Sequence, residues 1–193
     1  MVAAHLYGLV LAGGKSNRMG TDKAFLRYHD TPQKDHLFIL LGQFCSRVFT
    51  SIGKHGNPSL YKNPIQDQLE LKGPLNGILS AFGQHPEKAW LCVAVDMPFI
   101  DHVVLKFLLD HRDPKMLATC FYDSGGKNPE PLIAIWEPGA YGELVQFGSL
   151  GNTSPRDFLT NSRVKMLEVP DKLYLKNINT TEEFNLLRGK FAR

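Results

Sequence analysis

Residues 9 to 24 read LVLAGGKSNRMGTDKA, an apolar run that breaks at two glycines into a polar, mostly basic loop. Taken from residue 5, the run HLYGLVLA is nearly continuous. It predicts a strand buried on both faces, as in a parallel sheet. Open α/β sheets collect ligands beyond the carboxyl ends of their strands, so the loop sits where chemistry is expected. Gly13 and Gly14 let backbone come close to a ligand and turn N–H groups toward an anion. Arg18 offers a planar fork for phosphate, and Lys15 and Lys23 add compact positive charge. A strand-end turn with solvated cations is the plainer alternative. Two familiar loops are excluded. Gly13 and Gly14 are adjacent, which breaks G-x-G-x-x-G, and Gly20 is followed by Thr21-Asp22 where a P-loop carries Lys-Ser/Thr.

Further strands and helices alternate along the chain. RVFTSIG (47–53) reads as a second strand, with a short one near Pro64-Ile65 and a fully apolar one at AWLCVAV (89–95). KMLATCFY (115–122) and PLIAIWE (131–137) follow, separated by a GGKN turn, and RVKMLEV (163–169) is a last short strand. Helices are expected over 32–45, over 73–85 opened by Pro74, and over 101–111. Ser154-Pro155-Arg156-Asp157 and Thr180 with Glu183 read as capped helix starts. The pattern predicts an α/β fold of three layers, Rossmann-like, with a mostly parallel central sheet. Residues 1–193 are expected to form a single domain, since no repeat or long linker divides them.

Composition narrows the function classes. Of 193 residues, 43% are hydrophobic, enough for a substantial core, and 22 basic against 19 acidic residues leave a net charge of +3. That balance, without a basic stripe, gives no nucleic-acid interface. The first apolar run is too short to span a bilayer and lacks a basic leader, so no membrane role is expected. Cys45, Cys92 and Cys120 are an odd number without a CxxC pair; they point to a reducing, cytoplasmic setting.

Four further positions carry chemistry. Asp96 follows a buried strand directly and can hold Mg²⁺ while leaving coordination places for phosphates and water, or it can cap the next helix. Asp67 precedes Gly73-Pro74-Leu75, where a helix start can aim N–H groups at a nucleoside; alone it reads as a solvated loop acid. Asn177 and Asn179 are two apart and share a side in extended backbone, where they can bind a polar ring or phosphate or form Asx turns. The histidines show no catalytic or metal-binding spacing and read as surface or packing residues.

The stretch LAGGKSNRMGTDKA resembles the signature of the molybdenum cofactor guanylyltransferases, nucleotidyltransferases on a Rossmann-like sheet. Relatives that make sugar nucleotides or cytidylyl isoprenoid precursors typically end this loop in Pro-Lys; here it ends in Asp22-Lys23, the guanylyltransferase form. The resemblance extends through GPLNGI (73–78), DMPF (96–99) and NINTTEE (177–183). It implies transfer of GMP from GTP to molybdopterin with release of pyrophosphate and help from Mg²⁺. It places Arg18, Lys23 and Asp96 in catalysis, with Asp96 on the metal. Leu11, Ala12, Gly13, Gly14, Lys15, Lys23, Asp67, Gly73, Pro74, Leu75 and Asp96 fall at the nucleotide, and Asn177 and Asn179 at molybdopterin. Cofactor-insertion proteins and acceptor molybdoenzymes are the implied partners. A cytidylyltransferase on the same fold and a non-catalytic nucleotide-binding assembly protein are the alternatives. The chain departs from the pattern at Ser51 or Gly53, where relatives often have asparagine, and at Glu130, where they often have His or Gln.

Overall fold

The computed structural model describes residues 5–13, 23–178 and 180–188. Its frame is a seven-stranded sheet: β1 (Leu6–Leu11), β2 (Arg47–Ile52), β3 (Pro64–Gln66), β4 (Ala89–Ala94), β5 (Ala118–Tyr122), β6 (Pro129–Trp136) and β7 (Val164–Leu167). The strands stand in the order β3-β2-β1-β4-β6-β5-β7. Helices α1 (Gln33–Leu41), α2 (Pro74–Gln84), α3 (His102–Asp110), α4 (Ala140–Ser149), α5 (Pro155–Thr160) and α6 (Thr181–Arg188) complete it.

The apolar strands obey a period of two. On one face Leu9, Leu11, Trp90, Cys92 and Ala94 pack with Leu75, Ile78 and Phe82 of α2, Leu144 of α4 and Phe158 of α5. On the other, Val10, Ala12, Leu91, Val93 and Val95 pack with Leu37 and Leu41 of α1 and Val104 and Leu108 of α3. Successive side chains of one strand thus serve opposite layers, which is why these strands read as unbroken apolar runs. Close approach of α2 depends on Gly77, where a Cβ would stand 2.1 Å from Ser51 Oγ.

The sheet is mostly parallel, as the sequence predicts, with one reversal. β6 runs antiparallel to both β4 and β5, while the other pairings are parallel. The link from β5 to β6 is too short for a crossover and folds as a hairpin. Asp123 fixes its turn by accepting from the N–H groups of Lys127 and Asn128 and from the Asn128 amide. β6 therefore fills the place between β4 and β5.

Several boundaries also differ from the sequence reading. α1 stops at Leu41, and turns carry the chain to Cys45. β5 begins at Ala118 because Asp113 holds residues 113–116 in a turn. α4 had no counterpart among the expected helices. It contains Gly142 and Gly148 and buries only Ala140, Leu144 and Gly148, a stripe too narrow to show strong periodicity. The expected caps do form: Ser154 accepts from Asp157 N–H, and Thr180 and Glu183 bond reciprocally. The three cysteines are buried and free. No helix among the described residues is long and apolar enough to cross a membrane.

Candidate active site

β1 lies between β2 and β4, with Leu11 opposite both Ser51 and Ala94. Ala12 N–H donates to Ser51 O, and Val95 N–H donates to Leu11 O, so the chain leaves β1 flanked by two parallel strand ends. There Gly13 meets Gly53; a Cβ on Gly13 would come within 3.2 Å of the Gly53 nitrogen. Gly14, Lys15, Arg18 and Asn179 lie outside the described residues. The loop returns in a single 3₁₀ turn, Lys23–Phe25, and Lys23 Nζ stands 3.7 Å from Asp96 Oδ2. Sequence neighbours of the glycine loop and the residue beyond β4 thus meet at one point.

Asp96 does not cap α3. That task falls to Asp101, which accepts from the N–H groups of Val103 and Val104. Asp96 Oδ1 is buried with no hydrogen-bond partner. Burial raises its pKa above the ordinary carboxylate value, and the Lys23 ammonium pulls it back only in part. A sheltered carboxylate with one unused oxygen suits a hard divalent cation. No three His, Cys, Asp or Glu side chains among the described residues form a metal cage.

Asp67 lies just past β3 and donates its N–H to Ile52 O. Its Oδ1 is also buried and unpartnered, and burial pushes its pKa up to about 6. A solvated loop acid would show neither property. Six residues on, Gly73 caps α2 with φ 84° and ψ −173°, a backbone shape that side chains resist. Pro74 and Leu75 then open the helix at the same edge of the sheet.

The C-terminal segment reaches this edge too. Ile178 N–H donates to Asp96 O at 2.9 Å, and the Ile178 side chain is fully buried against Tyr28. The Tyr28 ring meets Phe184 of α6 edge-on at 5.0 Å. Burial, then the charges of Asp96 and Glu183, raise the Tyr28 phenol above its usual range. Asn177 Oδ1 is buried without a partner. Tyr28 and Ile178 were not singled out from sequence; an apolar residue between two asparagines in extended backbone was the available signal for an inward anchor.

The departures are explained by packing. Ser51 is turned into the core toward Gly77 of α2, and Gly53 brings only backbone to the edge. Glu130 is buried: one oxygen accepts from Leu132 N–H and the other from Arg156, which also bridges to Asp123. Burial raises the Glu130 pKa, against the pull of the Leu132 N–H and Arg156. Both of its oxygens are occupied, one within β6 and the other in joining α5 to β6. His29 and His36 stack at 3.6 Å, and His29 Nε2 contacts Pro98 O, in keeping with packing roles.

Residues 8–166 match the family model described as MobA-like NTP transferase domain. The chain is 32% identical, over 93% of its length, to the molybdenum cofactor biosynthesis bifunctional protein of Synechocystis sp., of which it spans about half, 52%. It is 30% identical to the molybdenum cofactor guanylyltransferase of Pseudomonas paraeruginosa, covering 90% of each chain. In fold it is similar to molybdopterin-guanine dinucleotide biosynthesis protein A from Archaeoglobus fulgidus, with a TM-score of 0.79 at 22% identity over 95% of this chain and 97% of that one.

Proposed function

The chain belongs to the MobA-like NTP transferase family, and on that premise we propose that it transfers GMP from GTP to molybdopterin. A terminal phosphate oxygen of molybdopterin forms the new bond to the α-phosphorus of GTP, and the bond to the β-phosphate oxygen breaks to release pyrophosphate. The acceptor is already anionic, so no covalent enzyme intermediate and no general base are required.

What the protein must supply is alignment of two anions and relief of their repulsion. Arg18 and the N–H groups of Gly13 to Lys15 hold the triphosphate, since the Ala12 N–H is already given to Ser51 O. Lys23 sits beside the reacting phosphate. Asp96 holds Mg²⁺, which when bound supplies positive charge against the triphosphate oxygens. Asp67 and the Gly73-Pro74-Leu75 start of α2 receive the nucleoside. Asn177 and Asn179 receive molybdopterin, within one domain that serves both substrates.

The observation that carries this reading is the meeting of Lys23 and Asp96 at the joined ends of β1 and β4, with Asp96 Oδ1 open. A buried carboxylate there would repel the triphosphate unless a cation lay between them, so the pair favours a metal–nucleotide site, and turnover separates transfer from binding alone. The test is pyrophosphate release with GTP, CTP or ATP, each with and without molybdopterin and magnesium. Release with GTP alone of the three, dependent on both additions, is expected. Faster turnover with CTP would move the protein to cytidylyl transfer, and binding without turnover would leave an assembly role.

A further inference from the structure

Between Asp67 and Gly73 the chain runs without regular structure, and its tip faces solvent: Leu69 is 40% exposed. Apolar burial at the tip therefore does little to set its path, although Leu71 beyond it packs partly against the core and Glu70 pairs with Lys54. Two side chains of α2 hold its backbone. Asn76, 2% exposed, accepts from Leu69 N–H at 3.2 Å and donates through Nδ2 to Leu69 O at 2.6 Å and Leu71 O at 2.9 Å. Ser80, 3% exposed, accepts from Gln68 N–H at 2.9 Å and donates to Asn76 Oδ1 at 3.2 Å. The residues directly after Asp67 are thus gripped by backbone hydrogen bonds, as a neighbouring strand would grip them. Only an amide carries both the acceptor and the paired donors for this; a carboxylate lacks the donors and an alkyl chain lacks both. Asparagine is a poor choice for a helix on propensity alone, so its place in α2 calls for a tertiary reason.

We propose that Asn76, supported by Ser80, is a positioning residue for nucleotide binding: it fixes the 68–71 loop and through it the placement of Asp67. The inference rests on the reading of Asp67 as a nucleotide contact. Asn76 itself touches no substrate. It substitutes for the missing sheet neighbour where β3 ends, so that Asp67 Oδ1 is held sheltered at the edge instead of turning to solvent.

The experiment is a double-mutant cycle on the full chain, with GTP binding measured by calorimetry and turnover with molybdopterin measured beside it. D67A should weaken GTP binding about tenfold and N76A by a similar factor, and the double variant should bind no worse than the weaker single one. In N76A the KM for GTP should rise with kcat changed less than about twofold, since only ground-state placement is lost. S80A, which removes one link and leaves a good helix former, should show the same pattern at roughly two- to threefold. It keeps the test decisive should N76A fold poorly. D67A binding GTP as the wild type does would sink both the Asp67 reading and the inference. Weak binding in D67A with normal binding in N76A and S80A would overturn the inference alone. So would losses that multiply in the double variant, because they would mark Asn76 as a general support of the fold.

Discussion

The two edges of the sheet treat buried charge in opposite ways. At the amino edge Arg112 grips Glu137 with two bonds, Nε to Oε1 at 2.6 Å and Nη2 to Oε2 at 2.8 Å, and the Glu137 side chain is 3% exposed. This pair ties the end of α3 to the end of β6 and satisfies itself. At the carboxyl edge Asp96 meets an ammonium at 3.7 Å and keeps Oδ1 unused, while Asp67 and Asn177 each keep a buried oxygen without a partner. An unmatched buried polar atom costs about 1–3 kcal/mol, and three of them gather on this edge. Unmatched indole N–H groups of Trp90 and Trp136 lie in the core toward the amino edge, but the unmatched carboxylate oxygens, of Asp67 and Asp96, both lie at the carboxyl edge. The contrast is that the buried carboxylate at the amino edge has both oxygens paired, whereas those at the carboxyl edge each keep an unmatched one.

Substitutions that separate stability from activity can break that contrast. The largest effect belongs to the amino edge. Arg112→Ala strands a buried carboxylate, a loss of about 3–5 kcal/mol. Its melting temperature should fall by roughly 10 °C, with the transfer rate of folded protein intact, as thermal melts and turnover at low temperature can check. Lys23→Ala should do the reverse. The melting temperature should hold within a few degrees, and transfer should slow by at least ~10-fold through loss of a charge-assisted contact. Normal turnover in this variant would remove Lys23 from the chemistry.

Smaller effects sharpen the division within the carboxyl edge. Asn177→Ala should weaken molybdopterin binding by roughly fivefold and leave GTP binding unchanged in calorimetric titrations. Loss of GTP binding or of the fold would make this asparagine structural. Asp67→Asn should be felt in stability as a function of pH. Its carboxyl titrates near 6 in the fold against 3.8 ordinarily, because burial disfavours the charge. Between these values the folded state keeps a proton that the unfolded state has lost, so stability falls as pH rises through this window. The variant lacks that penalty. Without nucleotide it should match the wild type below pH 4 and melt about 2 °C higher above pH 6, a modest gain because the site is partly screened by water.

Much of this was legible in the sequence where burial is two-sided. LYGLVLA and AWLCVAV are apolar because nearly every residue serves one layer or the other, and their ends announce Gly13 and Asp96. Capping at Ser154 and Thr180 is local chemistry and was equally plain. The reversed β6 was not legible, since a GGKN turn announces a hairpin but not which strand the second arm joins. α4 was hidden by two glycines and a narrow buried stripe. The grip of Asn76 on residues 68–71 and the bond from Ile178 to Asp96 O are tertiary contacts, and no periodicity records them. Among the candidate site residues marked in the sequence, Lys23, Asp67, Asp96 and Asn177 lie at one edge of the sheet. Their common edge follows from the order β3-β2-β1-β4, which only the assembled sheet provides.

The contrast between the edges rests most directly on Asp96. Asp96→Asn keeps the side-chain shape and the backbone carbonyl that accepts from Ile178, and removes the charge while replacing one acceptor oxygen by an NH₂ group. The decisive measurement is pyrophosphate release from GTP and molybdopterin by this variant across a magnesium titration, with its melting temperature recorded alongside. A melting temperature within a few degrees of wild type is expected, together with a rate more than ~100-fold lower that added magnesium does not restore. Wild-type rates at ordinary magnesium concentrations would contradict the account and leave Asp96 a buried acid with no part in transfer.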